Sequence, residues 1–156
     1  MGRVYALEIF FSNFRRKPYQ MKKRIAEIIY AAINNKDLQS ILDLQSENAD
    51  WSVCASPEKI PWANPGRGPK GVACFFKTMG EWLVAEAFVI EDYLEKDNKV
   101  VAIGYQAGYV KPTGYHYEFD FVHVWEIKNE KVSKFRAYID TAYVASALSG
   151  EPNINV

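Results

Sequence analysis

The run "YEFDFVHVWEI", residues 117–127, puts a histidine where acid–base chemistry is easily built. At a strand's period of two, one face carries Tyr117, Phe119, Phe121, His123, Trp125 and Ile127, so His123 interrupts an otherwise aromatic and aliphatic row. A two-residue hairpin at Asn129-Glu130, inside "KNEK", would set Lys128 opposite Lys131, His123 opposite Arg136 and Phe119 opposite Asp140. Directly paired residues share a face. One side of the sheet is therefore predicted to carry Phe119, Phe121, His123, Arg136, Tyr138 and Asp140. A change of one residue in the pairing would send the second strand's set to the other side.

An apolar face with a few converging polar groups is how small-molecule sites are lined. Histidine titrates near neutrality, and an aspartate there would be raised by lost solvation while an arginine neighbour pulls it back. His123 and Asp140 could then move a proton between positions of a substrate, a step worth roughly 10²–10⁴-fold. The same set would equally serve to satisfy buried polar groups without any reaction. Periodicity leaves both readings open.

These residues need a scaffold, and its order is legible. From Met21, the residues Ile25, Ile28, Ile29, Ala32 and Ile33 recur at helical spacing. "NNKD" ends that helix, and Asp37 is placed to cap a short second one with Leu38, Ile41 and Leu42. "WSVCA" (51–55) reads as a strand, and the proline- and glycine-rich run 56–71 as a loop. A third helix is predicted from Pro69 through Trp82, with Val72, Phe75, Phe76 and Met79 as a core stripe. Four strand-like runs follow at 84–95, 99–110, 115–127 and 132–140, joined by short turns. No helix separates them, so the sheet should be mostly antiparallel and the class α+β.

Composition narrows the function. The 156 residues are 49% hydrophobic, with a formal net charge of zero, which suits one globular domain and gives no general pull towards nucleic acid or an anionic membrane. A basic cluster at 15–24 is read as a solvated helix entry. Cys54 and Cys74 make neither a disulfide framework nor a zinc site, and with no signal-like segment a reducing cytoplasm is expected. "GRGPKG" (66–71) matches a dinucleotide fingerprint literally, but it follows a loop rather than a buried strand. No cofactor and no metal is expected.

Three stretches, "PWANPGRGPKGVACFF", "KVVAIGYQAGYVKPTGYHYEFDFVHVWEIKNEKV" and "FRAYIDTAYVASAL", together resemble the SnoaL-like polyketide-cyclase and ketosteroid-isomerase-related group of the nuclear-transport-factor-2-like superfamily. The resemblance implies a cone, or cystatin-like α+β barrel, with N-terminal helices packed in the concave side of a curved sheet. It divides the chain into an extension (1–20), the domain (21–148) and a tail (149–156). It places Trp62 at the pocket mouth, His123 on the penultimate strand and Asp140 at the end of the last, with His123 and Asp140 as catalytic residues. Trp62, Phe119, Phe121, Arg136 and Tyr138 become ligand-binding positions. It also implies a homodimer through the convex face.

Two functions follow. One is a cofactor-independent isomerase or cyclase acting on a small, mostly apolar carbonyl compound. The other is a non-catalytic binding protein for a steroid-, polyketide- or carotenoid-like molecule. Ketosteroid isomerase and epoxide hydrolase activities fit less well: "WSVCA" offers no acidic base, and Glu118-x-Asp120 falls on the opposite phase from the Arg-x-Asp pair that an epoxide hydrolase needs.

Overall fold

Residues 18–151 are described by a computed structural model. Their order is α1 (Pro18–Asn34), α2 (Leu38–Asp43), β1 (Gln45–Val53), α3 (Gly68–Trp82), β2 (Leu83–Lys96), β3 (Lys99–Val110), β4 (His116–Lys128), β5 (Lys131–Ile139) and α4 (Thr141–Ser149). Most of the extension at 1–20, part of the basic cluster at 15–24 and the end of the tail at 149–156 lie outside the described residues.

The five strands form one sheet in the order β1-β5-β4-β3-β2. All neighbours are antiparallel except β1 and β5, which run parallel. Helix α1 packs on β2 and β3, and α3 packs on β1 and β2, so the helices fill the hollow of the sheet. This is the α+β cone that the order of elements predicts.

The hollow exists because β2 bends. Its pairing with β3 skips a residue between Ala85 and Ala87 and again between Ile90 and Asp92. Each extra residue raises the local twist and curls the strand. Gly104 sits against the second bulge, where a Cβ would lie 2.0 Å from the Val89 carbonyl oxygen. Only a residue without a side chain lets the two backbones approach so closely.

Three details differ from expectation. The buried face of α1 is Ile25, Ala26, Ile29, Tyr30 and Ala32, while Ile28 is 42% exposed; the stripe extends to Ala26 and Tyr30 and leaves Ile28 out. Strand β1 starts at Gln45, earlier than the apolar run at Trp51: Gln45 pairs with Val132 of β5, and the exposed Glu47 and Asn48 hide this start from an apolar pattern. Beyond β5 the chain forms a further helix, α4, capped by Asp140 and closed by Gly150 at φ 72°.

The hairpin between β4 and β5 decides the site. Asn129 and Glu130 take φ values of 50° and 59°, the two-residue turn expected, and Lys128 does pair with Lys131. Three residues later the ladder slips. Ile127 pairs with Val132 but Glu126 pairs with Lys134, which leaves Ser133 as an extra residue on β5. The Ser133 hydroxyl donates to the Glu126 carbonyl at 3.1 Å and so occupies the gap. Beyond the bulge every β5 side chain is on the opposite side from the simple prediction: His123 pairs with Ala137, not Arg136.

Candidate functional site

The concave face encloses a cavity of about 300 Å³. Strands β4 and β5 give it Phe119, Phe121, His123, Phe135, Ala137 and Ile139; β2 and β3 add Phe88 and Gln106. Helices α1 and α3 close it with Tyr30, Phe75, Phe76 and Met79, and Trp62 enters from the loop before α3. The lining also includes the exposed residues Asn34, Lys36 and Glu86. The buried part of the lining is a mainly aromatic chamber.

His123 is packed between rings. Phe121 stacks on it at 4.0 Å between centroids, and Phe135 meets it edge-on at 4.9 Å. Its Nδ1 lies 2.9 Å from the Tyr30 hydroxyl, and that hydroxyl accepts the Trp125 indole N–H at 2.8 Å. Burial disfavours the imidazolium and pushes the His123 pKa down to about 3, so the ring is neutral at ordinary pH. Burial likewise pushes the Tyr30 hydroxyl well above its usual value, so it keeps its proton.

These facts order the protons. The Tyr30 oxygen already accepts from Trp125, and its single proton has one acceptor at hand, Nδ1 of His123. The neutral ring must then carry its own proton on Nε2. That N–H has no partner among the described residues, and the ring lines the cavity. A chain running from Trp125 through Tyr30 to His123 thus presents one fixed hydrogen-bond donor to an apolar cavity.

The residues expected here divide into two groups. Trp62, Phe119, Phe121 and His123 line the cavity together. Arg136, Tyr138 and Asp140 do not, and the Ser133 bulge is the reason. Arg136 turns to the other side, where its guanidinium donates to the Asp50 carboxylate at 2.6 Å and to the Asp50 and Phe135 carbonyls. That pairing, with the Arg136 charge nearby, holds the Asp50 carboxyl below its usual range. The arginine therefore fastens β5 to β1. Tyr138 is 49% exposed on the convex face, paired with Val122. Asp140 leaves the sheet altogether, and its carboxylate caps α4 by accepting the Tyr143 backbone N–H at 2.9 Å.

Sequence reasoning missed Tyr30 and Gln106. Tyr30 lies one position past Ile29 on an amphipathic helix, and the spacing alone could have included it. Gln106 sits on the inward phase of β3 beside Gly104 and Gly108, a polar residue among small ones, as unusual for its strand as His123 is for its own. Among the described residues, no three His, Cys, Asp or Glu side chains converge as metal ligands, and no helix is long and apolar enough to cross a membrane.

Comparison with known proteins agrees with this geometry. Residues 26–135 match the model of the SnoaL-like domain. No curated protein matches the chain. Among solved structures, an NTF2-like protein from Burkholderia xenovorans is similar at 24% identity and a TM-score of 0.75, over 85% of this chain and 99% of that one. TerC, co-crystallised with polyporic acid, aligns at 18% identity and a TM-score of 0.74, over 83% and 98%. An LEH-like epoxide hydrolase of M. tuberculosis aligns at 14% identity and a TM-score of 0.65, over 84% and 91%. At these identities the structural likeness concerns the fold.

Proposed function

The chain belongs to the SnoaL-like domain family, and within it we propose a binding site for a small, flat, mostly apolar carbonyl compound. The observation that carries this is the single open N–H of a neutral His123, set in a chamber of aromatic rings. The rings supply area and stacking for a planar skeleton. The N–H supplies one directed hydrogen bond to a carbonyl oxygen, which fixes orientation. TerC, co-crystallised with polyporic acid, offers a precedent on the same fold.

Flavone, a rigid ketone of about the right size, is a direct probe, and the indoles of Trp51, Trp62 and Trp125 on the cavity wall report its binding by fluorescence quenching. Loss of the hydrogen bond in His123→Phe should weaken flavone by about tenfold while leaving a flat hydrocarbon such as 2-phenylnaphthalene unchanged. Equal losses for both probes would refute the anchoring role of His123.

A second function, the isomerase or cyclase, has one feature in its favour. Glu86 is the carboxylate on the cavity lining, placed there by the first β2 bulge. A carboxylate base and a neutral histidine electrophile lining one cavity are a workable pair for enolisation. Glu86 would take the proton from the carbon beside the carbonyl as the electron pair moves onto oxygen, which the His123 N–H stabilises. Returning the proton to another carbon completes an isomerisation. Glu86→Gln should then abolish proton exchange into a bound ketone without weakening its binding. The homodimer fits a convex face that exposes Val89, Val122 and Tyr138.

A further inference from the structure

A second buried polar side chain meets the cavity, and its direction is fixed as firmly as that of His123. Gln106, buried on the inward face of β3 opposite Phe119, lines the cavity. Its amide nitrogen donates to the Tyr117 hydroxyl at 2.9 Å, and that hydroxyl donates to the Val84 carbonyl at 3.2 Å. A carbonyl can only accept, so the one proton of Tyr117 is spent on Val84. The tyrosine oxygen must therefore accept from Gln106, and the amide cannot turn round. Its Oε1 is left as an acceptor with no partner among the described residues, on a side chain that lines the cavity.

Gly108 makes this possible. A Cβ there would lie 1.9 Å from the Val84 oxygen and 2.9 Å from the Tyr117 hydroxyl. The glycine leaves the room in which those two atoms meet, beside the first β2 bulge.

We infer that Gln106 is a specificity-determining residue, an acceptor that selects compounds with a hydrogen-bond donor at the end opposite their carbonyl. This rests on the carbonyl-binding function proposed above and extends it. His123 is level with Ala102 on β3, four residues from Gln106, or about 13 Å along the strand before the inward-pointing side chains shorten the gap. A skeleton of two to three rings spans that interval. The occupant is thus a rigid apolar carbonyl compound whose far end bears a hydroxyl or an N–H: its C=O accepts from His123 Nε2, and its donor meets Gln106 Oε1. A compound lacking the donor leaves a buried amide oxygen unpaired.

The test compares flavone, the monohydroxyflavones with the hydroxyl at successive positions of the far ring, and their methyl ethers, all by tryptophan quenching. One hydroxyflavone should bind about tenfold more tightly than flavone and its own methyl ether. Gln106→Leu should level that hydroxyflavone with flavone. Tyr117→Phe keeps Gln106 but frees its amide to rotate, so the methyl ether should recover towards its hydroxyl parent. This second variant separates a directional acceptor from a merely structural glutamine. Equal binding of flavone and every hydroxyflavone to the wild type would overturn the role of Gln106 and leave carbonyl binding intact. Failure of the whole series, flavone included, would overturn the carbonyl-binding function and this extension with it.

Discussion

His123 should couple the stability of the fold to pH, because its imidazole titrates near 6.5 when exposed and near 3 in the folded chain. The cause is burial, which penalises the imidazolium with no carboxylate in contact to compensate. Between those two values the unfolded chain holds a proton that the folded chain does not. Stability from this source is therefore complete above about pH 6.5 and falls as the pH is lowered towards 3, by about 1.4 kcal/mol per pH unit. Across the whole window it reaches about 5 kcal/mol at most, against a usual total of 5–15 for a domain. Urea unfolding of the wild type and of His123→Phe, at steps between about pH 4 and 8, isolates the effect, since the two proteins differ only at this residue. The gap in unfolding free energy should shift in favour of the variant as the pH falls below about 6.5, at up to one proton's slope. Parallel curves, or an imidazole resonance of folded His123 that titrates near 6.5, would refute a neutral histidine in the chamber and the donor geometry built on it.

Tyr30→Phe removes the acceptor of the Trp125 indole and the donor to His123 together, and should cost about 1–3 kcal/mol in chemical unfolding. It also frees the histidine to change tautomer, so flavone affinity should fall even where the protein is folded. Asp140→Ala should cost about 1 kcal/mol through loss of the α4 cap, whereas Asp140→Asn, a good capping residue, should be nearly neutral. Both should bind flavone as the wild type does, and a large binding loss in Asp140→Asn would restore Asp140 to the site. Gly104→Ala drives a Cβ into the Val89 carbonyl and the Phe121 ring at 2.0 and 2.9 Å, and should destabilise by about 1–3 kcal/mol or more in thermal unfolding.

The periodicities carried the fold well. Helical spacing from Met21, the cap at Asp37 and four strand runs with short turns correspond to α1, α2 and β2 to β5. They were readable because each element buries one regular face, so period and burial coincide. The site was only half readable for the same reason. His123, Phe119 and Phe121 follow β4's unbroken alternation, and all three line the cavity. Arg136, Tyr138 and Asp140 were placed by carrying an ideal ladder across the hairpin, and one extra residue defeats that extrapolation. A trace of the bulge was present: the apolar positions Val132, Phe135, Ala137 and Ile139 are spaced by three, then two, then two. The long first step marks where the strand slips. Gln106 and Tyr30 depend on contacts between distant elements, through Tyr117, Val84, Trp125 and His123, which no local period encodes.

The bulge at Ser133 therefore decides which side of β5 meets the cavity, and the rival register shows why it forms. An unbroken ladder through the same residues would bury the Arg136 guanidinium among aromatic rings, far from Asp50, at a cost of several kcal/mol for the unpaired ion. It would also expose Phe135, which touches Trp51, Trp125 and His123, at a loss of about 3–5 kcal/mol. Together these rival the whole stability of a domain of this size. Deleting Ser133 removes the extra residue and leaves Val132 opposite Ile127 and Lys134 opposite Glu126 in a regular ladder, so Phe135 and Arg136 keep their sides. The deletion should accordingly fold cooperatively and bind flavone normally. Ser133→Ala keeps the bulge and loses only one hydrogen bond to the Glu126 carbonyl, so it too should fold, cost about 1 kcal/mol and bind flavone normally. If the deletion lost its cooperative transition or its flavone binding while Ser133→Ala kept both, the pairing partners would not be what sets the two faces of β5, and the arginine, tyrosine and aspartate beyond the bulge would again be candidates for the cavity.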